Sequence, residues 1–280
     1  MGVERGRRKR SDAENALRTV QWSWRSVTGR FRALPDFVVI GAQRAGTTSL
    51  FRTLRGHPHI VASFRKEVHY FDLQHRSHGL NWYRAHFGFP SSSHIQGEAT
   101  PNYLAFSGVP QRMHDVLPEA KLVVLLRHPI ERAQSAWRYR TRDGLEHRSF
   151  SDAIHEEEND TRTHSERVRD AKTARQDLAM QFAYLEKSRY AEHLERWLTV
   201  YPTEQLHIMR SEDLFEQPDV AMEKLMVFLD VDPDLAPPYP HANATTPTSI
   251  DEGDRRWLVE YFAPHNQKLE DLTGMSFGWE

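Results

Sequence analysis

Residues 37–50 read Phe-Val-Val-Ile-Gly-Ala-Gln-Arg-Ala-Gly-Thr-Thr-Ser-Leu. The run Phe37 to Ile40 is short, apolar and rich in β-branched side chains, the pattern of a strand buried on both faces of a parallel sheet. Gly41 ends the strand, and Gly46 lets the backbone approach a ligand closely. Thr47, Thr48 and Ser49 then open a helix that continues through Leu50, Phe51 and Leu54. Unpaired N–H groups at a helix start, together with the helix dipole, favour an anion. The stretch therefore predicts strand, phosphate-type loop and helix, with Arg44, Ala45, Gly46, Thr47, Thr48 and Ser49 around the ligand. The plainer reading is a strand–turn–helix corner that happens to contain an arginine.

The spacing of Gly41 and Gly46 fits the nucleotide loop G-x-x-x-x-G-K-[ST], but Thr47 stands where the lysine belongs. The cation lies inside the loop instead, at Arg44. That lysine normally reaches the β- and γ-phosphates, so its absence argues against ATP hydrolysis. A cation two residues before the second glycine suits a reacting group hung from a single 5′-phosphate.

Outward from this stretch, 280 residues suffice for one large α/β domain. A net charge of -2 does not mark the whole chain as a polyanion binder, and no nucleic-acid partner is expected. The chain has no cysteine, which excludes disulfides and thiol chemistry. No apolar run approaches the roughly 20 residues of a membrane span, and the N-terminus lacks the apolar core of a secretory signal. The expected setting is cytoplasmic. Residues 1–35 read as a flexible leader with a basic cluster at Arg5, Arg7, Arg8, Lys9 and Arg10 and a loose helix over Leu17 to Phe31; residues 36–280 form the domain.

After the first helix, His57-Pro58 is a stop, and His59 to Ser63 reads as a second strand. Lys66-Glu67-Val68-His69-Tyr70-Phe71-Asp72 follows. Ionisable residues at a strand end lie where open α/β sheets meet their ligands. Glu67, flanked by Lys66 and His69, is a general-base candidate. A salt-bridged loop is the plainer explanation. Further on, Val123 to Leu126 is another buried strand ending in Arg127, with Pro129 suited to a helix start. Arg127 as a charged fork and Ser135 as a hydroxyl donor can share one phosphate.

Taken together, G-A-Q-R-A-G-T-T-S-L, K-E-V-H-Y-F-D and R-H-P-I-E-R-A-Q-S-A-W resemble the sulfotransferases that use 3′-phosphoadenosine 5′-phosphosulfate (PAPS), above all the heparan sulfate branch and its bacterial relatives. The resemblance covers roughly residues 36–280. It implies an α/β, P-loop-type three-layer fold with a central parallel sheet flanked by helices. It also implies that the first motif holds the 5′-phosphosulfate, that Glu67 is the catalytic base supported by His69, and that Arg127 and Ser135 bind the 3′-phosphate. The reaction would be sulfuryl transfer to a hydroxyl or amine, on a carbohydrate or other small molecule, with no metal required. Arg44 stands where the family usually has Lys, so its role would be electrostatic, on the leaving phosphate oxygen. His78 to Tyr83 and Gly97 to Tyr103 resemble segments lining the acceptor cleft. Heparan-modifying members often carry Lys in place of Ala99. Their Lys-Gly-Arg run over the cofactor is replaced here by Asn243 to Pro247.

The remaining segments read more simply. Glu156, Glu157, Glu158 and Asp160 form an acidic knot on a solvated helical excursion, followed by a mixed-charge stretch from Glu166 to Arg175. Tyr190, Leu194, Trp197 and Leu198 repeat at helical spacing, with Arg189 and Tyr190 as possible nucleotide contacts and core packing as the equal alternative for Tyr190. Leu206 to Met209 is a strand, Ser211 a helix cap, and the chain closes with helices over Asp251 to Phe262 and His265 to Leu272. Two rival functions share this fold: a P-loop kinase or ATPase using Mg-ATP, and a non-catalytic nucleotide-binding protein.

Overall fold

The computed structural model describes residues 12–72, 75–160, 182–240 and 249–279. The basic cluster, the stretch Glu166 to Arg175 and the loop Asn243 to Pro247 lie outside the described residues.

The apolar runs become strands. A sheet of five strands, β1 (Phe37–Gly41), β2 (Ile60–Ala62), β3 (Ile95–Ala99), β4 (Lys121–Leu126) and β5 (Leu206–Arg210), is parallel throughout in the order β2-β3-β1-β4-β5. Phe37 to Ile40 and Leu122 to Leu126 are fully buried, as central parallel strands between helical layers must be. The fold is α/β and three-layered. Because β1 is flanked by β3 on one side and β4 on the other, its C-terminal end lies at the point where the strand order reverses, the usual ligand crevice of an open α/β sheet.

Strand β3 is the element that sequence patterning missed. Its Gly97 lies opposite Phe37, and a Cβ there would come within 2.1 Å of the Phe37 ring. The ring fills the space that a side chain would need. Glu98, next along the strand, is fully buried.

The α-helices among the described residues are α1 (Asp12–Val27), α2 (Thr47–Leu54), α3 (Leu80–Arg84), α4 (Val109–His114), α5 (Pro129–Arg142), α6 (Phe150–Asn159), α7 (Tyr190–Leu198), α8 (Asp213–Glu216), α9 (Pro218–Phe228) and α10 (Glu252–Thr273). α1 falls in the segment read as leader. Its Arg25 donates to the carbonyls of Ala85 and Phe87 at 3.1 and 2.8 Å, and Trp22 stacks on Phe64. The two expected C-terminal helices are one: α10 runs through Pro264. Leu258, Phe262 and Leu269 hold both halves against the core, and His265 and Lys268 pair with Glu192 and Glu195 of α7. Tertiary packing thus offsets the hydrogen bond that proline removes. Ser211 does not cap a helix either. Its hydroxyl donates to the Ala45 carbonyl at 2.5 Å, tying the end of β5 to the loop after β1.

Candidate active site

The loop after β1 bends through two left-handed residues, Arg44 at φ 74° and Gly46 at φ 97°. Glycine takes that conformation without cost, whereas arginine is strained there. The bend delivers the chain into α2, whose first turn is Thr47, Thr48 and Ser49, the Ser49 N–H donating to the Gly46 carbonyl at 3.0 Å. Beside it a cavity of about 570 Å³ is lined by Arg44, Ala45, Gly46, Thr47, Thr48, Ser49, Glu67, His69, Arg127 and Ser135, the residues assigned from the sequence to the loop, the base and the second phosphate. A cavity of that size holds a small molecule.

Arg44 does not extend toward Glu67. Its Nε donates to Ser135 Oγ at 3.2 Å, and its guanidinium lies over the Tyr139 ring, 4.7 Å from the centroid. Burial is the chief cause of its lowered pKa, and Arg142, Arg127 and Arg140 add repulsion. Arg127 stands at the end of β4, oriented by Glu131 one helical turn on, at 3.5 Å. Arg44, Arg127 and Ser135 therefore converge on one side of the cavity, a site for a doubly charged anion.

The loop after β2 brings Glu67 and His69 to the same cavity. Three of its backbone donors are held: Glu67 N–H to the Ala99 carbonyl at 2.9 Å, Val68 N–H to Thr100 Oγ1 at 3.1 Å, and Tyr70 N–H to the Tyr103 hydroxyl at 2.9 Å. Val68 is buried in the core. Glu67 and His69 on either side of it take φ values of 59° and 58° and line the cavity. Residues held in that region cost free energy, and persist where the surroundings fix them.

These side chains form a charged chain. Lys66 Nζ lies 2.7 Å from Glu67 Oε1, His69 Nε2 3.7 Å from Glu67 Oε2, and His69 Nδ1 2.5 Å from the buried carboxylate of Asp72. The protonated His69 ring, 3.7 Å away, is the main reason the Glu67 carboxyl falls to about 2, with Lys66 helping against burial. Burial alone would lower His69, but its hydrogen bond to Asp72 and the nearby Glu67 carboxylate raise it to about 10. At neutral pH Glu67 is ionised and His69 carries its proton.

Under this loop lies Glu98, whose carboxyl is pushed up by burial. It accepts from the Tyr83 hydroxyl and from Thr100 Oγ1 at 2.7 Å. The Thr100 hydroxyl thus links Glu98 to the Val68 amide. Thr100→Val leaves both groups without this partner, and about 1–3 kcal/mol of stability should be lost for each buried group left unmade. Urea unfolding reads this as a lower midpoint at unchanged slope; an unchanged midpoint would show that the hydroxyl is dispensable.

Other expectations are refined. Tyr190 is a core residue whose hydroxyl donates to the Arg127 carbonyl at 2.8 Å, and Arg189 is not part of the cavity wall. Trp82 and Tyr83 do not line the cavity either; Tyr83 is buried. The acidic knot is not merely solvated, since the Glu157 carboxylate accepts from the N–H groups of Tyr184, Leu185 and Glu186 at 2.6, 2.9 and 2.9 Å. Cavity residues that sequence reading passed over include Gln43, Asn102, Tyr139 and Lys187. Asn102 lies in a quoted stretch, but nothing local marks Lys187.

Comparison with known proteins agrees with this geometry. The sulfotransferase domain family model matches residues 34–244. The chain is 29% identical to the membrane-associated sulfotransferase kil1 of Dictyostelium discoideum, over 91% of this chain and 68% of that one. It is 26% identical to human heparan sulfate glucosamine 3-O-sulfotransferase 5, over 88% of this chain and 74% of that enzyme. Among solved structures, a sulfotransferase from Alicyclobacillus acidocaldarius superposes with a TM-score of 0.74 at 28% identity, covering 88% of this chain and 99% of the other.

Proposed function

The chain belongs to the sulfotransferase domain family, and from that premise we propose that it moves the sulfuryl group of PAPS to a hydroxyl or amine of a carbohydrate or other small-molecule acceptor. One observation carries the donor assignment: the loop after β1, the Arg127–Ser135 side and the Glu67 loop all open on the same cavity. The two cationic and N–H-rich sides fit a nucleotide bearing phosphate at both 5′ and 3′ positions. The 5′ end belongs to the loop residues Ala45 to Ser49, and the 3′-phosphate to Arg127 and Ser135, with the Arg44 guanidinium beside them.

When bound, PAPS supplies the activated sulfuryl group. The protein's part is to hold and to move a proton. Glu67 accepts the acceptor's proton as the new bond forms. His69, kept protonated by Asp72, fixes one Glu67 oxygen, and Lys66 the other. The loop N–H groups carry charge that builds on the leaving phosphate oxygen, the kind of electrostatic support usually worth most. A carbohydrate acceptor is favoured by the relatives' own substrates. Ala99, buried at the end of β3, offers no cation to a polyanionic chain. A cytoplasmic setting is part of the same proposal.

Thermal-shift titration with adenosine 3′,5′-bisphosphate (PAP), ADP and Mg-ATP tests the donor assignment. PAP at about 100 times its Kd should add roughly 2.7 kcal/mol of stability without magnesium, and ADP should add much less. Stabilisation by Mg-ATP alone would overturn it.

A further inference from the structure

We propose that Lys187 is a catalytic residue whose ammonium meets the sulfonate oxygens of the donor, a role that rests on the PAPS reading above. Lys187 is buried, 6% exposed, yet lines the cavity shared by Glu67, His69 and the phosphate loop. Its Nζ lies 3.3 Å from Gln43 Oε1 and 3.1 Å from Asn102 Oδ1. Gln43 precedes Arg44 in the loop that holds the 5′ end. Asn102 follows β3 on the side of Glu67. The ammonium thus bridges the two walls between which sulfur must pass.

Arg44 leaves this place open. Its guanidinium is turned to Ser135 and Tyr139, on the 3′-phosphate side. Sulfuryl transfer still needs positive charge at the reacting end. The acceptor oxygen bonds to sulfur, the bond from sulfur to the 5′-phosphate oxygen breaks, and its electron pair stays on PAP. The acceptor proton goes to Glu67. Lys187 forms no covalent bond; it holds the sulfonate oxygens in line.

The turn bearing Lys187 is built to stay put. The Glu157 carboxylate accepts from three successive N–H groups just before it. Arg132, fully buried, donates through Nη2 to the Tyr184 carbonyl at 2.5 Å and through Nε to Ser188 Oγ at 2.6 Å. The Ser188 hydroxyl donates to the Pro129 carbonyl at the start of α5, 3.1 Å away. Such preorganisation is what electrostatic catalysis requires.

Equilibrium binding of PAPS and of PAP to the full chain tests this without an acceptor. Wild type should bind PAPS more tightly than PAP. Lys187→Met should weaken PAPS about tenfold or more and leave PAP within about twofold, because only PAPS carries the sulfonate. Lys187→Arg should keep most of the PAPS preference, and the melting temperature of each variant reports folding. Equal loss for both ligands in Lys187→Met, or no loss, would overturn the assignment. So would equal affinities in wild type, which keeps the test decisive even if the variants fold poorly. A wild type that binds neither ligand would instead sink the donor reading itself.

Discussion

Glu67→Gln should lower turnover by about 10²–10⁴-fold, the range that a positioned general base contributes, while leaving PAP affinity within about twofold. The reasons lie in geometry. Glu67 reaches the cavity from a loop whose Glu67, Val68 and Tyr70 N–H groups are held by Ala99, Thr100 and Tyr103. Glutamine keeps the size and can still face Lys66 and His69, but it cannot take a proton. The assay is transfer of labelled sulfuryl from PAPS to whichever acceptor the wild type modifies in a polysaccharide and small-molecule screen. A variant that turned over at wild-type rate would remove Glu67 from the mechanism. A protein that bound PAP but modified no acceptor in either form would favour the non-catalytic alternative.

The same residues set the pH behaviour. Glu67 titrates at about 2 and His69 at about 10. Between roughly pH 5 and 9 neither changes its charge, so kcat/KM should be flat there in wild type. Above that window His69 loses its proton, Glu67 loses its cationic neighbour, and the rate should fall as pH rises. In Glu67→Gln one of the two groups raising His69 is gone, so its pKa should drop and the residual activity should begin to fall at lower pH. A wild-type profile that bends near pH 6 to 7 would mean that the chain from Lys66 to Asp72 is not coupled as described.

The features legible in the sequence were those written locally. Phe37 to Ile40 followed by two glycines, and Val123 to Leu126 followed by Arg127, declare a buried strand and its ligand end within a dozen residues. The parallel sheet followed from them. Features set by long-range packing were not legible. Strand β3 has an isolated glycine and a buried glutamate, which look wrong for a central strand until Phe37 is seen to fill the space at Gly97 and Tyr83 to meet Glu98. Lys187 touches Gln43 and Asn102, residues 144 and 85 positions away, so no spacing rule could find it. The acidic knot looked like solvated charge because its partners are backbone N–H groups at Tyr184 to Glu186, which carry no sequence signature. The direction of Arg44 was likewise decided by Tyr139 and Ser135, on a helix that sequence alone could not orient against the loop.

Arg127→Met should weaken PAP by about 2–4 kcal/mol, roughly 30- to 1,000-fold, the cost of truncating one partner of a hydrogen-bonded charge pair. Adenosine 5′-monophosphate, which has no 3′-phosphate, should bind both proteins alike. Calorimetry of the two ligands therefore turns the proposed division of the cavity into a difference measurement. The loss should stay short of complete because Arg44 lies on the same side, 3.2 Å from Ser135. It should exceed the effect of Ser135→Ala, which removes a neutral donor rather than a charge. Glu131 gives a further reason to expect a large value: it lies 3.5 Å from Arg127 and 3.8 Å from Arg255, holding the guanidinium before any ligand arrives, so little ordering entropy is left to lose on binding. Unchanged PAP affinity in Arg127→Met would detach the end of β4 from the nucleotide. The shared cavity would then have to be read as an acceptor cleft alone.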